Sequence, residues 1–452
     1  MSTPSPHIKL TWIRALLATE RARSMHGAAR LLHRTQPSIS QAIAALESVV
    51  DLSLVARGPS GATLTPAGRI LSDRGSKGMG FLVAAAQGAG IGPAPLARLR
   101  QQVRDTQLQA LTATVAGGTF SAAACRLGIA QPVVSRSMAH LAQLLGQPLW
   151  TRSGRVLEMT RAARELAAGY ELLQSELRLC LDELREMRGI YDGQIRLGAL
   201  PTARASWLPR SLERLLEHYP NITVTIMDGP YEEQLHALRH GRIDLILGAL
   251  RLPGPGNDVM QEPIFNDTLS LVGRAGHPLA RGIGRGRVII DRKALNRYRW
   301  LLPPQGTPAR DRLNGLLDAR RLPRPSRVLE CNSFLTIREL LLNSDSVAVV
   351  STCQVASDVV RNRLSVLGPP LPRTSQPVGW TMRTSFKPTA ALRKFLDTAR
   401  VESTALDRGS RSLAGRCKID APYADLRPPF ISAVAPATSA PAPAPRGSWQ
   451  SG

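Results

Sequence analysis

The chain has 452 residues, with 58 Lys and Arg against 34 Asp and Glu, a formal charge of +24, and 43% hydrophobic but only 4% aromatic residues. That length and apolar share suffice for two or three globular units with buried cores, and they exclude a wholly disordered, collagenous or fibrous chain. The first ten residues show no basic segment followed by an apolar run, and no long uninterrupted apolar stretch occurs anywhere, so a secreted or membrane-spanning chain is disfavoured and a cytoplasmic one expected. Cys125, Cys180, Cys331, Cys353 and Cys417 have no CxxC spacing, which argues for reduced structural thiols and against a metal site or disulfide scaffold. Arginine supplies 52 of the basic residues and lysine 6, a skew that a GC-rich genome also produces, so charge alone favours a nucleic-acid partner only modestly.

The chain opens with a tandem duplication. Residues 12–71 and 107–166 align without a gap at an offset of 95 and share 18 of 60 positions, among them Gln36-Pro37 with Gln131-Pro132, Ser40 with Ser135, and Arg57 with Arg152. The first copy spans 8–72. Its Gln36-Pro37 starts a helix whose apolar stripe is Ile39, Ile43, Leu46 and Val50, leaving Ser38, Ser40 and Gln41 outward. His33 and Asp51 stand where the second copy has Gly128 and Gly146, so strained or altered turns are expected here. Gly75, Gly78, Gly80, Gly88, Gly90, Gly92 and Pro93 then interrupt a helix-compatible stretch, which predicts a broken connector over 73–104.

The second copy, 105–160, has the clearer reading. Phe120 to Leu127 forms a short helix of small residues, Gly128 supplies the turn, and Gln131-Pro132 begins a second helix, where proline costs no hydrogen bond. Val134, Met138, Leu141 and Leu145 are its buried stripe; Ser135, Arg136, Ala139, His140 and Gln143 face outward. Short polar groups with one arginine near a helix N-terminus suit a DNA major groove, where arginine reaches guanine and serine reaches bases or phosphates. The following Gln147 to Leu157 reads as a β-hairpin wing that offers Arg152 and Arg155 to phosphates.

Leu166, Tyr170, Leu173, Leu177, Cys180, Leu184 and Met187 recur at alternating spacings of four and three, a heptad seam that predicts one long helix over 161–189, pairing with a second chain. Over 190–400 the pattern becomes two sets of alternating strands and amphipathic helices, read as two α/β lobes joined by crossing strands. Beyond 401 the Ala, Pro and Ser content predicts a disordered tail, 401–452.

The run Ala-Ala-x-x-Leu-Gly-x-x-Gln-Pro-x-x-Ser-Arg, then Leu-Gly-x-Pro-Leu-Trp-x-Arg, then a long helix and a two-lobed domain, resembles the bacterial LysR-type transcriptional regulators over about 105–400. The first copy resembles the same family's winged helix-turn-helix, so the chain is similar to an uncommon tandem version. The resemblance implies a multidomain α+β and α/β protein: two winged helix-turn-helix units, a linker helix that dimerises, and a periplasmic-binding-protein-like domain holding a small inducer between its lobes. It implies double-stranded DNA as a partner, a homodimer or homotetramer, and RNA polymerase as a further candidate partner. On this chain Gln131, Pro132, Ser135 and Arg136 match the recognition helix and Arg152 the wing, with Gln36, Ser38, Ser40, Gln41 and Arg57 in the first copy. The family's glutamate after the recognition-helix leucine is Ala142 in the second copy and Glu47 in the first.

Open α/β sheets bind ligands beyond the carboxyl ends of their strands. Thr202 and Arg251 follow two such strands in the first lobe, and Thr307 and Ser333 begin helices in the second; by resemblance these loops line the inducer cleft. An anionic aromatic or sugar-derived metabolite suits them. No HExxH, GxSxG or Walker loop occurs, so no enzyme and no cofactor are expected. The competing reading is a ligand-binding module whose helical repeats mediate protein contacts.

Overall fold

The computed structural model describes residues 8–58, 61–153, 156–282 and 296–415. The first copy folds as α1 (Leu10–Ala22), α2 (Met25–Leu31), α3 (Gln36–Val50) and a two-stranded wing, β1 (Val55–Gly58) and β2 (Gly61–Leu64). After α4 (Pro66–Gly88) and α5 (Pro93–Gln102), the second copy repeats this as α6 (Asp105–Gly117), α7 (Phe120–Leu127), α8 (Gln131–Leu145), β3 (Trp150–Ser153) and β4 (Val156–Met159). Local chemistry explains the match. Ser24 and Thr119 each accept a backbone N–H at the start of α2 and α7, and a proline in the first turn opens α3 and α8.

The turns are conformationally the same in both copies. Arg23, His33 and Asp51 adopt φ of 51°, 50° and 54°, where Gly118, Gly128 and Gly146 adopt 71°, 64° and 69°. A left-handed side-chain residue costs roughly 1–2 kcal/mol, which a packed helix pair can impose, so the first copy's turns are strained and not altered.

The expected broken connector over 73–104 is also corrected: α4 runs unbroken through Gly75, Gly78 and Gly80, and only the Gly88–Pro93 stretch separates it from α5. Helical glycine costs about 1 kcal/mol against alanine, but here it lets two backbones approach. A Cβ on Gly78 would lie 3.2 Å from Leu173 Cγ, and one on Gly169 would lie 2.6 Å from Ala85 Cβ. These contacts run α4 antiparallel to α9 (Arg161–Glu186).

That packing corrects a further expectation. Leu166, Tyr170, Leu173, Leu177, Cys180 and Leu184 are all buried within one chain, so the seam assigned to a second molecule is covered by α4 and by the helices of the two copies. Residues 8 to 184 thereby share one continuous apolar core. Between the helices lies a buried ion cluster, in which Arg74 donates to Glu176 at 2.9 Å and to Glu183 at 3.1 Å, and Lys77 donates to Glu176 at 2.7 Å.

The first lobe carries a five-stranded sheet in the order β6 (Thr223–Met227), β5 (Gln194–Ala199), β7 (Leu245–Ala249), β14 (Gln376–Arg383), β8 (Val259–Asp267). Helices α10 (Pro201–Arg204), α11 (Trp207–His218) and α12 (Tyr231–Arg239) connect its parallel strands. The second lobe's sheet runs β11 (Val328–Glu330), β10 (Trp300–Leu302), β12 (Val347–Ser351), β9 (Leu269–Arg274), β13 (Leu364–Val366), with α13 (Pro308–Ala319), α14 (Phe334–Leu342) and α15 (Thr352–Val360). The chain crosses between lobes from β8 into β9 and returns from β13 into β14, whose pairing with β7 and β8 is antiparallel. Trp207 stacks on Trp380 in the first core, and Trp300 is fully buried in the second.

The tail begins later than expected. Helix α16 (Ala390–Gly415) continues through 401–415, with Ser403 buried and Glu402 bonded to Arg214 at 3.0 Å. No proline occurs between 390 and 415 to stop it. The proline-rich run and Arg155 lie outside the described residues.

Candidate nucleic-acid interface and effector cleft

In α8 the stripe Val134, Met138, Leu141 and Leu145 is buried, which leaves Gln131, Pro132 and Arg136 exposed and Ser135 half-buried. In α3 Gln36 and Gln41 are exposed, and Ser38 and Ser40 are half-buried. The two faces therefore present matching positions: Gln36 with Gln131, Ser40 with Ser135, Gln41 with Arg136. Arg57 and Arg152 occupy equivalent wing positions, opposite Ala62 and Leu157. Val133, at the position of Ser38, is 47% exposed and was absent from the outward residues expected of this helix. An exposed valine methyl beside Arg136 can contact a thymine methyl.

The wing is held to the second copy by Phe120, whose ring meets Trp150 edge-on at 5.5 Å. The first copy uses Glu47 instead, whose Oε1 accepts the backbone N–H of Leu54 at 2.7 Å and of Val55 at 3.3 Å. Ala142 can make neither bond. Glu47→Ala is expected to cost about 1–3 kcal/mol by stranding these donors. The first copy and α9 share one core, so this should show in urea unfolding of the whole head; a loss below about 0.5 kcal/mol would refute the role assigned to Glu47.

At the effector domain the structure connects some of the expected residues and not others. Arg251 stacks its guanidinium 4.5 Å above the Tyr231 ring, and its backbone is clasped by Gln261 through two bonds of 2.9 and 2.8 Å. Across the lobes, Arg312 of α13 donates to Gln376, which in turn donates to Leu250 O at 3.1 Å. Arg312 is held below the ordinary arginine range mainly by burial; Asp267 raises it and the Arg251 charge lowers it. Sequence reasoning missed Arg312 because nothing in a helix interior marks which face turns toward the other lobe. Thr307 and Ser333 use their oxygens as helix caps, accepting Arg310 N and Thr336 N. Thr202 lies half-buried at the start of α10, and no hydrogen bond links it to the other three. Asp267 sits at the crossing, where burial pushes its carboxyl above the usual range despite the hydrogen bond it accepts from the Cys353 backbone N–H at 3.2 Å.

A cavity of about 600 Å³ lies elsewhere, between α9 and the first lobe, with Tyr170, Gln174, Arg178 and Arg196 in its wall. It opens at the amino ends of β5 and β6, where Gln194 and Thr223 line it, opposite the edge at which α/β sheets hold ligands.

Two family models match the chain. The "Bacterial regulatory helix-turn-helix protein, lysR family" matches twice, at residues 10–69 and 106–164, and the "LysR substrate binding domain" matches residues 188–403. The chain is 31% identical over 380 residues to the HTH-type transcriptional regulator GalR of Pseudomonas putida, covering 83% of this chain and 92% of that protein. It is 27% identical over 300 residues to the HTH-type transcriptional regulator PcaQ of Agrobacterium fabrum, covering 66% and 95%. Among solved structures, full-length OxyR from Pseudomonas aeruginosa is similar at 22% identity and a TM-score of 0.48, covering 66% of this chain and 97% of that one. Among the described residues no helix is long and apolar enough to cross a membrane. Two winged helices joined to one two-lobed domain, each matched by its own family model, make the chain a DNA-binding transcriptional regulator of the LysR family with an effector-binding domain.

Proposed function

We propose that this regulator reads operator DNA in the cytoplasm through α8, with Gln131, Pro132, Ser135 and Arg136 in the major groove and Arg152 and Arg155 on phosphates. The first copy reads with Gln36, Ser38, Ser40 and Gln41, and Arg57 serves its wing. Promoter activity answers to a small anionic effector, an aromatic or sugar-derived carboxylate, bound between the lobes; the protein works on RNA polymerase as a homo-oligomer and performs no catalysis. One observation carries the effector class: Gln376 accepts from Arg312 of the second lobe and donates to Leu250 O, next to Arg251 in the first, so two like-charged guanidinium groups share one cleft. A carboxylate placed between them relieves that repulsion and ties the lobes together. Thr202, Thr307 and Ser333 shape the surrounding loops.

Titration calorimetry against a panel of aromatic carboxylates and sugar acids tests this. Arg251→Ala and Arg312→Ala should each weaken the best ligand by about 1.5–3 kcal/mol, the loss of a charge-assisted bond. Unchanged affinity in both variants would remove the cleft from the account.

A further inference from the structure

We infer that the two copies form an internal two-fold pair, so that one chain presents both recognition helices to one operator and reads two unlike half-sites. The inference rests on the reading of α3 and α8 as DNA-contacting elements and adds how they are arranged.

A two-fold interface has a signature: residue i of one half meets residue j of the other, j meets i in return, and residues on the axis meet their own counterparts. The duplication supplies the counterparts, through its offset of 95. Leu10 and Asp105 are counterparts, and the Leu10 backbone N–H donates to the Asp105 carboxylate at 3.0 Å. Gly78 and Leu173 are counterparts, and they touch where α4 and α9 cross. Away from the axis the contacts reciprocate. Arg74 bonds Glu176, the counterpart of Phe81, while Gly169, the counterpart of Arg74, packs against Phe81 O. Near the outer ends Asp51 pairs with Arg188 at 2.8 Å, while its counterpart Gly146 packs beside Pro95, two residues beyond the counterpart of Arg188. Three separate places obey one symmetry, and the fourth follows it with a shift of two residues.

The axis passes Gly78 and Leu173, each twelve residues from the first residue of its helix, Pro66 or Arg161. At 1.5 Å per residue the winged helices hang from ends about 36 Å apart, which is roughly the one-turn spacing of DNA half-sites.

The symmetry is broken where the bases are read. Arg136 corresponds to Gln41 and Val133 to Ser38. Arginine forks onto guanine O6 and N7, glutamine onto adenine N6 and N7, and valine favours a thymine methyl. The preferred operator is thus a false palindrome, with guanine in the half-site under α8 and adenine at the symmetric place under α3.

Selection of full-length protein on a random duplex library, followed by sequencing, tests this. Wild type should enrich two inverted half-sites that differ at the position read by residues 136 and 41, guanine against adenine, with thymine preferred under Val133 alone. Gln41→Arg should convert the adenine to guanine and leave the other half unchanged, and Arg136→Gln should do the reverse. Native mass measurement on the enriched duplex should give two half-sites per bound chain. If Arg136→Gln alters both halves together and Gln41→Arg alters neither, two chains each read with their second copy and the inference fails while the DNA reading stands. If wild type enriches no sequence, the reading of these helices fails and the inference with it.

Discussion

Alanine at Glu176 is expected to lower the unfolding free energy of the DNA-binding head by about 3–5 kcal/mol, the cost of stranding a buried partner charge. Its side chain is 2% exposed and takes bonds from Arg74 and Lys77, and the Arg74 side chain is itself only 6% exposed. Burial works against the Arg74 charge, yet the bonds to Glu176 and Glu183 outweigh it and hold its pKa above the ordinary value. Removing Glu176 leaves a guanidinium with little water, one glutamate and the Lys387 carbonyl at 3.0 Å. The exposed pair of Arg161 with Glu165 on the same helix offers a control, worth no more than about 1 kcal/mol. Urea unfolding of both variants measures the difference. A loss below about 1 kcal/mol at Glu176 would mean that water reaches the cluster. The double replacement Arg74→Met with Glu176→Leu should recover much of the loss, because an apolar pair leaves no charge unanswered.

Arg136→Ala is expected to weaken binding to the preferred operator by about 1–3 kcal/mol, which is roughly five- to 150-fold in affinity. The side chain is exposed and makes no hydrogen bond or ion pair among the described residues, so folding should be untouched. Binding to random duplex should hardly change, since phosphate contacts supply that term. Gel shifts on the two DNAs across a salt series separate the cases. Equal weakening on both, with a shallower salt slope, would place Arg136 on a phosphate and not on a base.

Much of the architecture could be read from the sequence because its signals are local. The duplication, the stripes of α3 and α8, the wings and the parallel strands of the first lobe depend on spacing and turn chemistry, and the structure contains each of them, the second wing's first strand beginning three residues after the expected Gln147. What failed depended on partners far along the chain. Gly75 and Gly78 read as breakers when only their own helix is considered, since the packing that rewards them comes from Ile13 of α1 and Leu173 of α9. The heptad seam correctly demanded a partner, but spacing does not reveal whether that partner is another molecule or residues 66–88 of the same one. Arg312 escaped for a similar reason: it matters only because two lobes bring α13 opposite Arg251. Val133 could have been found by asking which apolar residue lies off the buried stripe of α8.

Covalent continuity between α4 and α9 also alters how the head responds to protein abundance. Two separate chains must first find each other, so at low concentration the occupied fraction of a paired site rises with the square of concentration. Joined in one polypeptide by the segment from α5 to β4, the partners meet at an effective concentration on the order of millimolar, whatever the amount of protein present. Assembly of the head then has no threshold. Operator occupancy by it should rise in simple proportion to the amount of protein, and switching is left to the effector.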